Sequence, residues 1–83
     1  MSTYYQAINL YGIKLPYDNL EQLQKQYELD IDIQNSVYGD YYLGVNVELG
    51  VTEEEAKRQF LDHFGLEIYS KYPPKFHTFV TSY

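Results

Sequence analysis

The sequence predicts an α+β fold with the element order β-α-β-β-α-β. Three observations carry this expectation: aromatic and β-branched residues crowd both ends of the chain, two runs of period-two hydrophobicity meet at Gly39-Asp40, and Val51-Thr52-Glu53-Glu54-Glu55 opens a helix. With 83 residues, no linker-like tract and no internal repeat, a single domain spanning 1–83 is expected. A domain of this size buries only about 60% of the surface its unfolded chain exposes, which excludes large multi-step enzymes. The chain has no cysteine, so disulfides, thiol nucleophiles and thiolate-bound zinc are excluded and apolar packing must hold the fold.

Residues 3 to 13 are rich in tyrosine and isoleucine and poor in charge, which predicts a first strand ended by Pro16. On it, Ile8 and Leu10 are expected to face the helices, with Tyr5, Asn9 and Tyr11 on the other side. Asp18 precedes Glu21 at capping-box spacing, and Leu20, Leu23 and Tyr27 make one helical stripe, so a short helix is expected over 18 to 28. Ile31, Ile33 and Val37, then Tyr41, Leu43, Val45 and Val47, alternate with polar residues and glycine as two half-buried strands would. A two-residue Gly39-Asp40 loop would send these two apolar sets to opposite faces. A three-residue loop, Tyr38-Gly39-Asp40, avoids this by pairing Val37 with Tyr41, Asn35 with Leu43, Ile33 with Val45 and Ile31 with Val47.

Thr52 is the expected N-cap of the second helix, with Glu55 as its capping-box partner and three acids in the first turn, where the helix dipole favours them. Ala56, Phe60, Leu61 and Phe64 form its apolar stripe. Gly65 is the expected C-terminal stop, with Leu66 as its hydrophobic contact, giving a helix over 52 to 64. Residues 66 to 72 fit an extended connector or a short strand. Pro73-Pro74 interrupts the backbone donors, and Phe76 to Ser82 reads as the last strand.

This order resembles the ferredoxin-like superfold. The resemblance lies in element order alone and implies a four-stranded antiparallel sheet with two helices on one face. It says nothing of activity, because unrelated functions share that architecture. Attention therefore falls on the sheet's uncovered face, where Asp32, Gln34, Tyr38, Tyr42, Asn46 and Glu48 are expected to join Tyr5, Asn9 and Tyr11.

Twelve acids against six bases give a net charge of −6, which repels nucleic acid and anionic membrane and favours basic partners. The imbalance is local: residues 18 to 55 hold ten acids and one base, Lys25, whereas 56 to 83 hold four bases and two acids. Neither a signal-peptide pattern nor a membrane-length apolar run is present, so a cytoplasmic protein is expected. Eleven tyrosines supply broad apolar contact with a polar tip, which suits recognition surfaces. Asp30 and Asp32, with Glu28 nearby, are acidic ligand types, but the spacing and glycine of an organised calcium loop are missing, and no metal or cofactor is expected. His63 and His77 are the only side chains with a proton affinity suited to shuttling near neutral pH, and neither lies in a nucleophile or paired-carboxylate pattern, so no catalytic residue is assigned.

The expectation is thus a non-enzymatic, protein-binding module. Its contact set would be Tyr5, Tyr11, Asp32, Tyr38, Asp40, Tyr42, Asn46 and Glu48, and its partner a larger protein with a basic surface. Small acidic proteins of phages and mobile elements often act in this way as anti-defence inhibitors, occupying a nucleic-acid site without binding nucleic acid themselves. The alternative is a small-molecule-sensing or regulatory domain that forms a homodimer through its open sheet face.

Overall fold

The computed structural model describes residues 4–82. Its elements are β1 (Tyr5–Lys14), α1 (Tyr17–Gln26), β2 (Gln34–Asn35), β3 (Tyr41–Asn46), α2 (Glu53–Lys71) and β4 (Lys75–Ser82). The strands make one antiparallel sheet in the order β2-β3-β1-β4, with β3 and β1 central. The α+β class and the complement of four strands and two helices are as expected. Thr3, where the first strand was expected to begin, lies outside the described residues.

The chain turns from β1 into α1 at Pro16, whose carbonyl receives the N–H groups of Asn19 and Leu20 at 3.1 and 3.2 Å. Pro16 is the N-cap and no side chain caps this helix, so the expected Asp18–Glu21 capping box is not formed. Leu20 and Leu23 are buried as the stripe requires. The second helix begins as expected, with Thr52 Oγ1 accepting the Glu55 N–H at 3.2 Å. At Gly65 the backbone leaves helical geometry (φ 84°, ψ 166°), in a region that glycine alone occupies readily. The expected stop is therefore real but local. Helix resumes and runs to Lys71, which corrects the extended connector expected over 66 to 72. Resumption buries Ile68 completely and leaves Leu66 68% exposed, so Leu66 does not close a cap.

Both helices cover one face of the sheet. Leu20 and Leu23 of α1 and Ala56, Phe60, Phe64 and Ile68 of α2 pack with Tyr11 and Ile13 of β1 and Leu43 and Val45 of β3. The hairpin keeps the predicted parity but shifts its pairing by two residues: Asn35 faces Tyr41 and Gln34 faces Tyr42. Because side chains alternate with period two, such a shift preserves both faces. Its cause is the turn. Gly39 takes a positive φ of 88°, which a three-residue hairpin loop needs at its last position, so the loop is Val37-Tyr38-Gly39 and Val37 is exposed instead of inward. β2 is short because Gln24 Nε2 donates to the Ile31 carbonyl at 2.6 Å, tying the preceding segment to α1 instead of β3. Ile31 and Ile33 still lean, half-buried, on the core.

The parity expected of β1 is reversed. Tyr11 and Ile13 face the helices, whereas Leu10, with Ile8 beside it, packs on the opposite face against Tyr42 and Phe79. Leu10 to Ile13 are all buried, and a strand buried on both faces carries no alternation from which to tell them apart. The second apolar cluster exists because the sheet curls. Gly12 pairs with Gly44 across the two central strands, and a Cβ on Gly44 would lie 2.5 Å from both the Gly12 Cα and the Tyr11 carbonyl oxygen. Leu10 fills the space over this pair, since its Cδ2 would be 2.8 and 2.9 Å from Cβ atoms built on the two glycines. Tyr42 stacks on Phe79 with centroids 4.2 Å apart, although β1 separates their strands. The curl carries the outer side of β4 back to the far edge of the sheet, where the Val37 N–H donates to the Val80 carbonyl at 2.8 Å.

Two substitutions test this account. Gly44→Ala should cost about 2–3 kcal/mol or more in urea unfolding, because the clash is with backbone that cannot swing aside. Thr52→Ala should cost about 1 kcal/mol, the usual value of an N-cap.

Candidate functional site

The eight residues expected to form one contact face are separated by the curl. Tyr11 is 3% exposed and Tyr42 6%, so neither presents a surface. Tyr11 belongs to the helix-side core, with its ring 6.2 Å edge-on from Phe60 and 4.8 Å from Phe76, and burial, then the charges of Glu53 and Tyr69, hold its phenol above the ordinary tyrosine value. Tyr42 does point to the open face, as its parity predicted, but the returning β1–β4 ribbon buries it there. Asp32 is exposed on the irregular segment before β2, Glu48 is exposed after β3, and exposed Asn46 accepts a hydrogen bond from Gln34 Nε2 at 2.7 Å. Tyr38 and Asp40 remain together, at the β2–β3 turn.

That turn is exposed and internally hydrogen-bonded. Ser36, buried to 3% exposure, organises it: its hydroxyl accepts the N–H groups of Tyr38 and Asp40 at 3.2 and 3.3 Å, and its backbone N–H donates to the Asp40 carbonyl at 2.9 Å. The Gly39 N–H returns to the Ser36 carbonyl at 3.1 Å, and the bond from Val37 to Val80 ties the turn to β4. On this braced frame the Tyr38 ring is 85% exposed, beside Val37 at 41%. Val80, on the contacting strand, is 36% exposed, and two residues further along that strand Ser82 pairs with Tyr5, 64% exposed. Val37 and Val80 were missed by sequence reasoning, since nothing local to either reports that distant strand edges meet.

Asp40 is not a free carboxylate, because Lys14 Nζ lies 3.6 Å from its Oδ1. The remaining ion pairs among the described residues join Lys25 to Glu21, Arg58 to Glu55 and Lys71 to Glu67. Asp18, Glu28, Asp30, Asp32, Glu48, Glu53 and Glu54 take part in none of them. The acidic stretch therefore keeps most of its charge uncompensated on the surface. Leu49, 88% exposed, stands among these acids between Glu48 and Glu53. Among the described residues no three acidic or histidine side chains come together as a metal site, and Asp30 and Asp32 lie in no organised loop. No described helix is long and apolar enough to cross a membrane.

His77 sits on the open face beside the second apolar cluster, half-buried, with its ring 5.1 Å from that of Tyr42. Burial holds its proton affinity below the ordinary histidine value. A hydrogen bond to the Gly12 backbone opposes that effect, and the charges of Lys14 and Lys75 add to it. The unfolded chain therefore binds this proton more tightly than the folded one, so the stability His77 contributes is complete above an unfolded pKa of about 6.5 and is lost as pH falls through the folded value. The thermal midpoint should drop between about pH 7 and 5, and His77→Gln should flatten that drop in scanning calorimetry.

Comparison with protein families, curated proteins and solved structures finds no match to this chain.

Proposed function

We propose that the chain is a small acidic protein-binding module. It docks through the braced β2–β3 turn on a basic surface of a larger protein and inhibits or modulates that protein by occupying the surface. One observation carries the proposal: Tyr38 is 85% exposed on a turn whose backbone is fixed by several hydrogen bonds. Holding an aromatic side chain in water on a rigid frame lowers the ordering cost of binding, and tyrosine is a common anchor of protein interfaces. Uncompensated carboxylates elsewhere on the surface would speed encounter with a cationic partner and disfavour acidic ones. The contact set is then Tyr38 with Val37, Val80 and Tyr5, and Asp40 in the same turn, while Asp32 and Glu48 contribute only to the surface charge and Asn46 falls outside the set. Tyr11 and Tyr42 serve the two cores.

The element order and the interleaving of the strands support a ferredoxin-like architecture for the module, with β3 between β1 and β2 and β1 between β3 and β4. An anti-defence role, blocking a nucleic-acid site in the cytoplasm, follows from size and charge by analogy with other small acidic proteins. Dimeric sensing through an open sheet face has less support, because Leu10, Tyr42 and Phe79 already fill that face from within the chain.

The test is affinity capture from lysate with the intact chain and with Tyr38→Ala, at low and at high salt. Tyr38→Ala should retain the wild-type thermal transition, because the residue is 85% exposed, and should lose about tenfold or more in affinity for the captured protein. Capture of a basic protein that weakens with salt and with the substitution is the expected result. Equal capture by both chains, or retention unaffected by salt, overturns the proposal.

A further inference from the structure

Of the six lysines and arginines in this acidic chain, three converge on one cleft. Lys14 at the end of β1, Lys71 at the end of α2 and Lys75 at the start of β4 line it together with His77, the Gly12 backbone, Tyr72 and Pro73, around about 350 Å³ of space. Among the described residues no acid lines it. Lys71 and Lys75 flank one short connection, and the fold brings the distant Lys14 to them, in a protein whose net charge of −6 would favour spreading its cations among its acids. Lys75 faces Gly12 and His77 faces Leu10 across the β1–β4 pairing, so both lie beside the end of β1 that carries Lys14.

We propose that this cleft binds the phosphate group of a small phosphate monoester. Lysine ammonium groups act as mobile point charges with three donors each, and three of them can surround one dianion. Among the described residues no carboxylate lies within 4.0 Å of the Lys75 ammonium. Lys14 is held by Asp40 at 3.6 Å, and Lys71 by Glu67 at 3.1 Å and the Tyr27 hydroxyl at 3.3 Å. Those pairs are exposed, and an exposed pair contributes little, so either ammonium can turn to a doubly charged ligand. The volume exceeds that of inorganic phosphate and falls at the lower end of small-molecule sites, leaving room for an organic portion against Tyr72 and Pro73. The proposal does not rest on docking through Tyr38, although the Lys14–Asp40 pair joins the two regions, and the Lys75 variants test the cleft without touching that pair.

The test is a nuclear magnetic resonance titration of the full chain with inorganic phosphate and then with phenyl phosphate, chloride being adjusted to keep ionic strength constant. Saturable shifts at Gly12, Lys75 and His77 are expected with both probes, tighter with phenyl phosphate. Lys75→Ala, an exposed position, should keep the thermal transition and weaken binding by about fivefold or more, through loss of one charge at short range, while Lys75→Arg should bind. Shifts that grow linearly without saturation, shifts scattered over other lysines, or an unchanged curve for Lys75→Ala would each overturn the proposal.

Discussion

The contact between Gly12 and Gly44 is the constraint on which the rest of the molecule depends. These residues face each other on the two central strands and approach so closely that a Cβ on either would strike the backbone of the other strand. The dent they leave on the open face admits Leu10 and lets the sheet curl until Tyr42 stacks on Phe79. Once curled, the sheet has apolar clusters on both faces, one under the helices and one inside its own bend. A small domain gains by this. It removes from water apolar surface that a flat four-stranded sheet would leave bare, where two helices alone offer limited cover.

The curl also decides where recognition can occur. The uncovered face of an open sheet is a natural docking platform, but here the chain spends it on internal packing, and the most exposed aromatic group, Tyr38, stands at the rim. At the rim the curl adds order: the Val37–Val80 bond braces a turn that would otherwise end a two-residue edge strand. A bare tyrosine on a loose tip would lose much of its contact energy to ordering, whereas on a braced tip it keeps most of it.

Charge is organised by the fold as well. Lys71 and Lys75 flank the connection from α2 to β4 and meet the distant Lys14 at the end of β1, while acids from α1 to the first turn of α2 remain largely without ion partners among the described residues. The result is a protein of strongly negative net charge in which, among the described residues, half of the lysines and arginines line a single cleft.

The sequence alone determined what depends on neighbours a few positions apart. The Thr52 cap, the Leu20–Leu23 stripe, the local break at Gly65, the three-residue hairpin loop and the burial of Leu43 and Val45 all follow from short-range sterics, capping and period-two alternation. Even the two-residue slip in the hairpin was within reach, because Gly39 suits the last loop position. Tertiary structure alone decided which way β1 faces, that Tyr42 is buried, that α2 resumes to cover Ile68, and that Val37 meets Val80. Each of these depends on how far the sheet bends. Bending is set by a glycine contact between residues 32 positions apart in sequence, and no local pattern records which distant glycines will face each other.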